Sequence, residues 1–103
     1  MIHVLAIITA LPGQREAVLD IFRANMPAVH AEAGCIEYGP VIDAPDAGPA
    51  QAPLGRDTFC VVEKWASMDA LRAHSAAPHM AAYGAKVRPM LASRVIHILT
   101  PAA

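Results

Sequence analysis

Thr58-Phe59-Cys60-Val61-Val62-Glu63-Lys64-Trp65-Ala66, followed at once by Ser67, is the stretch on which the reading of this 103-residue chain turns. It is β-branched and aromatic, of strand length, and Ser67 is a good N-cap for a helix behind it. Alternation puts Phe59, Val61, Glu63 and Trp65 on one face, so a carboxylate and an indole stand two residues apart on the same side. In the helix beyond, Ala70, Leu71 and His74 share a side through spacings of three and four. Pro78 stops that helix and opens another, with His79 near its first turn. Two imidazoles, a Trp and a Glu are thus predicted to converge on one hollow between sheet and helices.

Working outward, Ile2 to Ala10 is an unbroken apolar strand turned by Pro12-Gly13. From Gln14 to Ala33 the apolar positions Val18, Ile21, Phe22 and Val29 recur at helical spacing, with Pro27 expected to kink that helix or end its first segment and Gly34 expected to stop it. Cys35 to Asp43 reads as a second strand with Ile36, Tyr38 and Ile42 on one side. Residues 44–57, rich in Pro and Gly, form an excursion longer than the roughly 12 residues common in compact domains, where Ala50, Ala52 and Leu54 are free to meet a neighbour or a pocket. Met80 to Met90 is helical and Arg94 to Thr100 is the last strand. The order βαββ(αα)β, without repeat or linker, predicts an α+β fold: a ferredoxin-like four-stranded antiparallel sheet, residues 1–103 as one domain, helices on one face. The first and last strands are apolar on both faces, so the open face is expected to pack against a second copy.

Composition narrows the function. The apolar fraction of 55% overstates the core, because 22 of those residues are Ala and bury little area each. Net charge is −1 without a basic cluster, which argues against nucleic acid. No apolar run approaches the roughly 20 residues of a membrane span, and Met1-Ile2-His3 lacks the basic start of a signal peptide, so a cytoplasmic location is expected. If residues 35–42 and 58–66 pair as a hairpin, Cys35 falls near Trp65 and Cys60 near Pro40, too far apart for a disulfide; both are expected to be free thiols. The spacing of five between His74 and His79, broken by Pro78, does not prepare a metal site, and no Gly-rich nucleotide loop is present, so no cofactor is expected.

Val4 to Thr9 leading into Pro12-Gly13, Glu32-Ala33-Gly34-Cys35 with Tyr38, Glu63-Lys64-Trp65, Ala70-Leu71, His74, and Pro78-His79-Met80 with Tyr83 together resemble the antibiotic biosynthesis monooxygenase (ABM) superfamily across nearly the whole chain. The segment Tyr38 to Asp43, the long loop and the ending Ile96 to Pro101 look most similar to its bacterial quinol monooxygenase branch. The resemblance implies a dimeric α/β barrel and oxygenation of phenolic or quinol substrates by O2 without flavin, haem or metal.

The residues suit that chemistry, since a deprotonated hydroquinone or anthrone passes an electron to O2 once a base, a dry pocket and an orientation are supplied. His74 is the first candidate base, His79 orients it or binds a substrate oxygen, and Glu63 polarises a neighbouring group. Trp65, Tyr38, Phe59, Met80 and Tyr83 are candidate walls for an aromatic ring. Each has a structural reading too: Trp65 and Phe59 as core, Glu63 as an ion-pair partner, His79 as a helix cap. His3, His30 and His97 are assigned to structure or solvent. Haem breakdown is disfavoured, because the places of its Asn, Trp and His on this fold, near Ile7, His74 and Gly84, do not carry that triad. An isomerase of a small, phosphorylated carbonyl metabolite would need a cationic pocket, and Lys and Arg are scarce near the histidines in sequence. A non-catalytic small-molecule-binding stress protein would look the same.

Overall fold

The computed structural model describes Met1–Ala103. Its strands are β1 (Ile2–Ala10), β2 (Cys35–Val41), β3 (Thr58–Trp65) and β4 (Leu91–Leu99). Its helices are α1 (Arg15–His30), α2 (Met68–Ala76) and α3 (Pro78–Val87), the last continued by a 3-10 turn over Arg88–Met90. The sheet order is β2-β3-β1-β4 with every pairing antiparallel, which is the ferredoxin-like arrangement expected. No helix is long and apolar enough to cross a membrane.

Local chemistry accounts for the breaks between elements. The Ser67 hydroxyl accepts the Ala70 amide at 3.1 Å and starts α2. Ala77 is extended because Pro78 follows it, so one residue ends α2 and begins α3. Pro27 does not divide α1, which runs through it and stops three residues later at His30 rather than Ala33. Pro27 has no N–H to give to the Arg23 carbonyl four residues back, and α1 continues past it in spite of that lost bond. β4 begins at Leu91, earlier than the sequence suggested, because Pro89 closes the helical segment.

Alternation on β3 holds as read: Phe59, Val61, Glu63 and Trp65 face the helices, opposite Ile8, Ala6, Val4 and Ile2 of β1. The core lies between this face and α1, with Trp65, Phe22, Phe59, Leu19, Val18 and Val29 fully buried. On β2 the reading needs correction. Cys35 pairs with Trp65 as expected, but the register shifts between Cys35 and Glu37, so Ile36 is an extra residue and Cys60 pairs with Val41 instead of Pro40. Ile36 and Ile42 are exposed, and only Tyr38 of the predicted trio is buried. Without the bulge Tyr38 would face away from the helices; with it, Tyr38 lies beside Glu63 on the inner face.

The outer face has no helix over it. Val41, Cys60, Ile7 and Val95 form one row across it, and Leu5 with Val62 another. Leu5, Val41, Val95 and Leu99 are each more than a third exposed. The 44–57 loop is tied down at its neck, where the Asp43 carboxylate accepts the amides of Leu54 and Gly55 at 2.8 and 3.0 Å. Those two bonds hold the Asp43 carboxyl below its usual range.

Gly34 joins α1 to β2 with φ at +84°, and a Cβ there would sit 2.6 Å from the Cβ of Ala70. Gly34→Ala is therefore expected to lose about 1–3 kcal/mol from backbone strain, and more from the contact with α2. Gly84→Ala, in a helix with open space at that point, should instead gain about 0.4–1 kcal/mol. Urea unfolding of the two variants beside the wild type checks both signs.

Candidate functional site

A cavity of about 340 Å³ opens between the inner face of the sheet and helices α2 and α3. Val4, Ala6 and Val61 are its floor, while Tyr38, Met80 and Tyr83 are aromatic and thioether wall. Its volume is at the lower end of the range for small-molecule sites. Ile96 and Ile98 of β4 lie at its margin and remain about half exposed, because the helices do not extend over that edge strand.

His74 reaches the cavity because α2 turns Leu71 and His74, three residues apart, toward the sheet. The imidazole is buried, 4.6 Å from the Trp65 ring and 5.5 Å from that of Tyr38 between centroids. Its Nδ1 lies 2.8 Å from Oε2 of Glu32, in the turn after α1, and Nε2 of His79 lies 3.0 Å from the same oxygen. A carboxylate oxygen accepts, so His74 donates from Nδ1 and its Nε2 is left as a proton acceptor. This is the relation that carboxylate–imidazole pairs use to fix a base in one tautomer.

Glu63 is the second acid of the site. It is 7% exposed, and its Oε1 accepts the Trp65 indole N–H at 2.9 Å. Burial pushes its carboxyl above the usual range; the Trp65 hydrogen bond and His74 pull the other way, and the Glu32 charge adds to the rise. Burial raises the Tyr38 hydroxyl strongly and pushes that of Tyr83 up to about 12, against the opposing pull of Arg94. Both phenols are neutral donors at physiological pH.

Of the residues singled out in sequence, His74, Glu63, Tyr38, Met80 and Tyr83 line the cavity. His79 does not; it sits behind Glu32, in a shallow groove with Asn25 and Lys86. Trp65 and Phe59 lie behind the wall as core, Phe59 edge-on to Phe22 and Trp65 under His74. The 44–57 loop contributes nothing to the lining of this cavity. Four polar residues that line or support the cavity were not proposed as site residues: Glu32, Ser75, Arg88 and Arg94. Arg88 and Arg94 correct the view that cations are scarce at the site, since the chain brings them back from beyond α3. Glu32 is 42 positions from His74, and its sequence signal is its place in the Glu32-Ala33-Gly34-Cys35 motif, which by itself assigns it no role. No group of three or more His, Cys, Asp or Glu side chains is arranged to hold a metal ion, and Cys35 and Cys60 are free thiols.

The raised Glu63 carboxyl has a consequence for stability. The folded protein holds that proton more tightly than the unfolded chain, so stability falls as pH rises from the ordinary carboxyl range through the folded value. The cost is complete above it. Glu63→Gln retains an acceptor for the Trp65 N–H and is expected to melt higher than wild type at pH 7. Melting curves from pH 4 to pH 8 should show that advantage shrinking toward the acid end.

Residues 1–86 match the antibiotic biosynthesis monooxygenase family. The chain is 39% identical over 103 residues to the "Probable quinol monooxygenase YgiN" of Escherichia coli (strain K12), with 98% of each chain covered. Among solved structures it resembles PA3566 from Pseudomonas aeruginosa, with a TM-score of 0.80 at 28% identity, covering 99% of this chain and 94% of that one. Rv0793 from Mycobacterium tuberculosis has a TM-score of 0.80 at 24% identity over 99% and 95%, a likeness of fold. With its sheet order, its extent and its sequence in agreement, the chain belongs to the antibiotic biosynthesis monooxygenase family.

Proposed function

We propose that the chain is a cofactor-independent monooxygenase that oxidises a quinol or related phenolic aromatic with O2. The observation that carries this reading is a buried imidazole, oriented by a carboxylate at 2.8 Å, on the wall of an aromatic-lined cavity. Membership of the family and the likeness to a relative named as a quinol monooxygenase support it.

In this reading the ring lies against Tyr38, Tyr83 and Met80, and His74 Nε2 takes the proton of a phenolic hydroxyl. The phenolate gives one electron to O2, and superoxide then joins the ring radical at a carbon bearing hydrogen. His74 returns its proton to the peroxide, and the hydroperoxide gives up the ring hydrogen as a proton to the hydroxide released when its O–O bond breaks. A ring carbonyl is formed and one water leaves, so both atoms of O2 are accounted for. Glu32 holds the imidazole in the Nδ1–H tautomer and stabilises its cation, and His79 steadies Glu32 from the far side. Glu63, held by Trp65, accepts from a second substrate hydroxyl when ionised. The protein supplies base, dryness and orientation, and the substrate is its own electron donor.

The rival readings are an isomerase of a phosphorylated carbonyl compound and a non-catalytic binder. A panel of quinols, phenols and sugar phosphates, each compared with an enzyme-free control because quinols autoxidise, separates the three. His74→Ala is expected to lower quinol oxidation by about 10²-fold or more and to remove the acid limb of the rate–pH profile. Glu32→Gln, which leaves the imidazole in place without its anion, should cost roughly 10–100-fold. Turnover by folded His74→Ala equal to wild type after subtraction would end its assignment as base.

The same reading includes a homodimer, with the uncovered sheet face of one copy on that of another. Light scattering should return about twice the chain mass of 10.9 kDa. Val95→Glu, a charge on that apolar face, should shift the mass toward a single chain.

A further inference from the structure

The cavity is electrically lopsided in a way that the proposed chemistry does not use. Arg88, in the turn after α3, and Arg94, on β4, both line it. Arg15, Arg23, Arg72 and Lys64 form ion pairs and Arg56, Lys86, Arg88 and Arg94 do not; of those four, only Arg88 and Arg94 line the cavity. The sheet register separates them from the acid end. Glu63 lies opposite Val4 of β1 and Arg94 lies opposite Ile8. Those rows are four residues apart, about 13 Å along the strand. Between them run the Ala6 row of the floor and the side chains of Met80 and Tyr83. Arg94 is close enough to Tyr83 for its charge to be felt at that hydroxyl. A second lobe of about 380 Å³ shares Ile8, Met80, Tyr83, Arg88 and Arg94 with the first and continues past Ser93.

A ligand in such a trough is oriented by charge. A negative substituent is repelled from the Glu63 end and drawn to the two guanidinium groups, while an uncharged hydroxylated ring is left beside His74. The planar fork of arginine fits a carboxylate with two parallel hydrogen bonds. We propose that Arg88 and Arg94 form a carboxylate subsite, and that the substrate is a hydroxylated aromatic of one or two fused rings bearing a carboxylate on the end opposite its reacting hydroxyl. The nature of the reacting ring rests on the quinol reading; the anion subsite does not.

The test compares 5,8-dihydroxy-2-naphthoic acid, whose hydroxyls and carboxylate lie on opposite rings, with its methyl ester, which differs in charge and little in shape. Binding is measured without O2, by quenching of the single tryptophan or by calorimetry, on wild type, Arg88→Gln and Arg94→Gln. The acid is expected to bind wild type about tenfold or more tightly than the ester, as for a charge-assisted hydrogen bond. Each substitution should erode that preference, and so should added salt. Equal affinity for acid and ester, or a preference that survives both substitutions, overturns the subsite. Glucose 6-phosphate displacing the acid at equal or lower concentration overturns its carboxylate character. Turnover in air separates the two proposals. Ester oxidised above the enzyme-free rate with no preference for the acid removes the subsite and leaves the chemistry. Arginine-dependent binding of the acid with no oxidation above control supports the subsite and removes the chemistry.

Discussion

One carboxylate oxygen ties the three helices together. Glu32 follows α1, His74 belongs to α2 and His79 to α3, and both imidazoles reach Oε2 of Glu32 at 2.8 and 3.0 Å. A carboxylate that is only 13% exposed requires donors, and the two ring N–H groups supply them. The break at Ala77-Pro78 has a purpose in this light, because a continuous helix would carry residues five apart on different faces. Restarting the helix lets two histidines from neighbouring segments meet a single acceptor. The helices therefore cannot slide over the sheet independently without leaving that acid unpaired.

Sequence and structure agree where the determining forces are local. Alternation along β3, the cap at Ser67 and the paired helices around Pro78 all follow from residue types within a few positions. What could not be read is non-local. The extra residue at Ile36 is set by the pairing of β2 with β3, and no β-branched run or turn residue announces it, yet it decides that Tyr38 faces the cavity. Glu32 looks like an ordinary polar residue of a helix end until α2 and α3 fold over it. Arg88 and Arg94 lie beyond the histidines in sequence and come to the far end of the same cavity because the turn after α3 leads into β4, which pairs with β1. Trp65 and Phe59 show the converse: alternation gives them the correct face, but Phe59 packs against Phe22 of α1 and Trp65 lies under His74 of α2, which makes them core.

The site also shows why a small protein can keep a polar cluster without losing its core. Glu63 and His74 both rest on Trp65, one by a hydrogen bond and one by ring contact. A fully buried indole presents an apolar body to the Tyr38 and His74 rings and one donor to the acid, so the polar groups sit at the boundary of the core instead of inside it. The cost of burying Glu63 is thus partly offset, and its carboxyl stays where a ligand can meet it.

The clasp at Asp43 has an evolutionary consequence. By gathering the amides of Leu54 and Gly55, it fixes the distance across the mouth of the 44–57 excursion whatever lies between. Chain length inside a loop closed at its neck adds only slowly to the entropy of closure. Segments of different length and composition can therefore be exchanged there while the strands on either side keep their register. The excursion is a place where lineages can acquire new surface, and where a laboratory can insert a peptide, without changing any residue that lines the cavity.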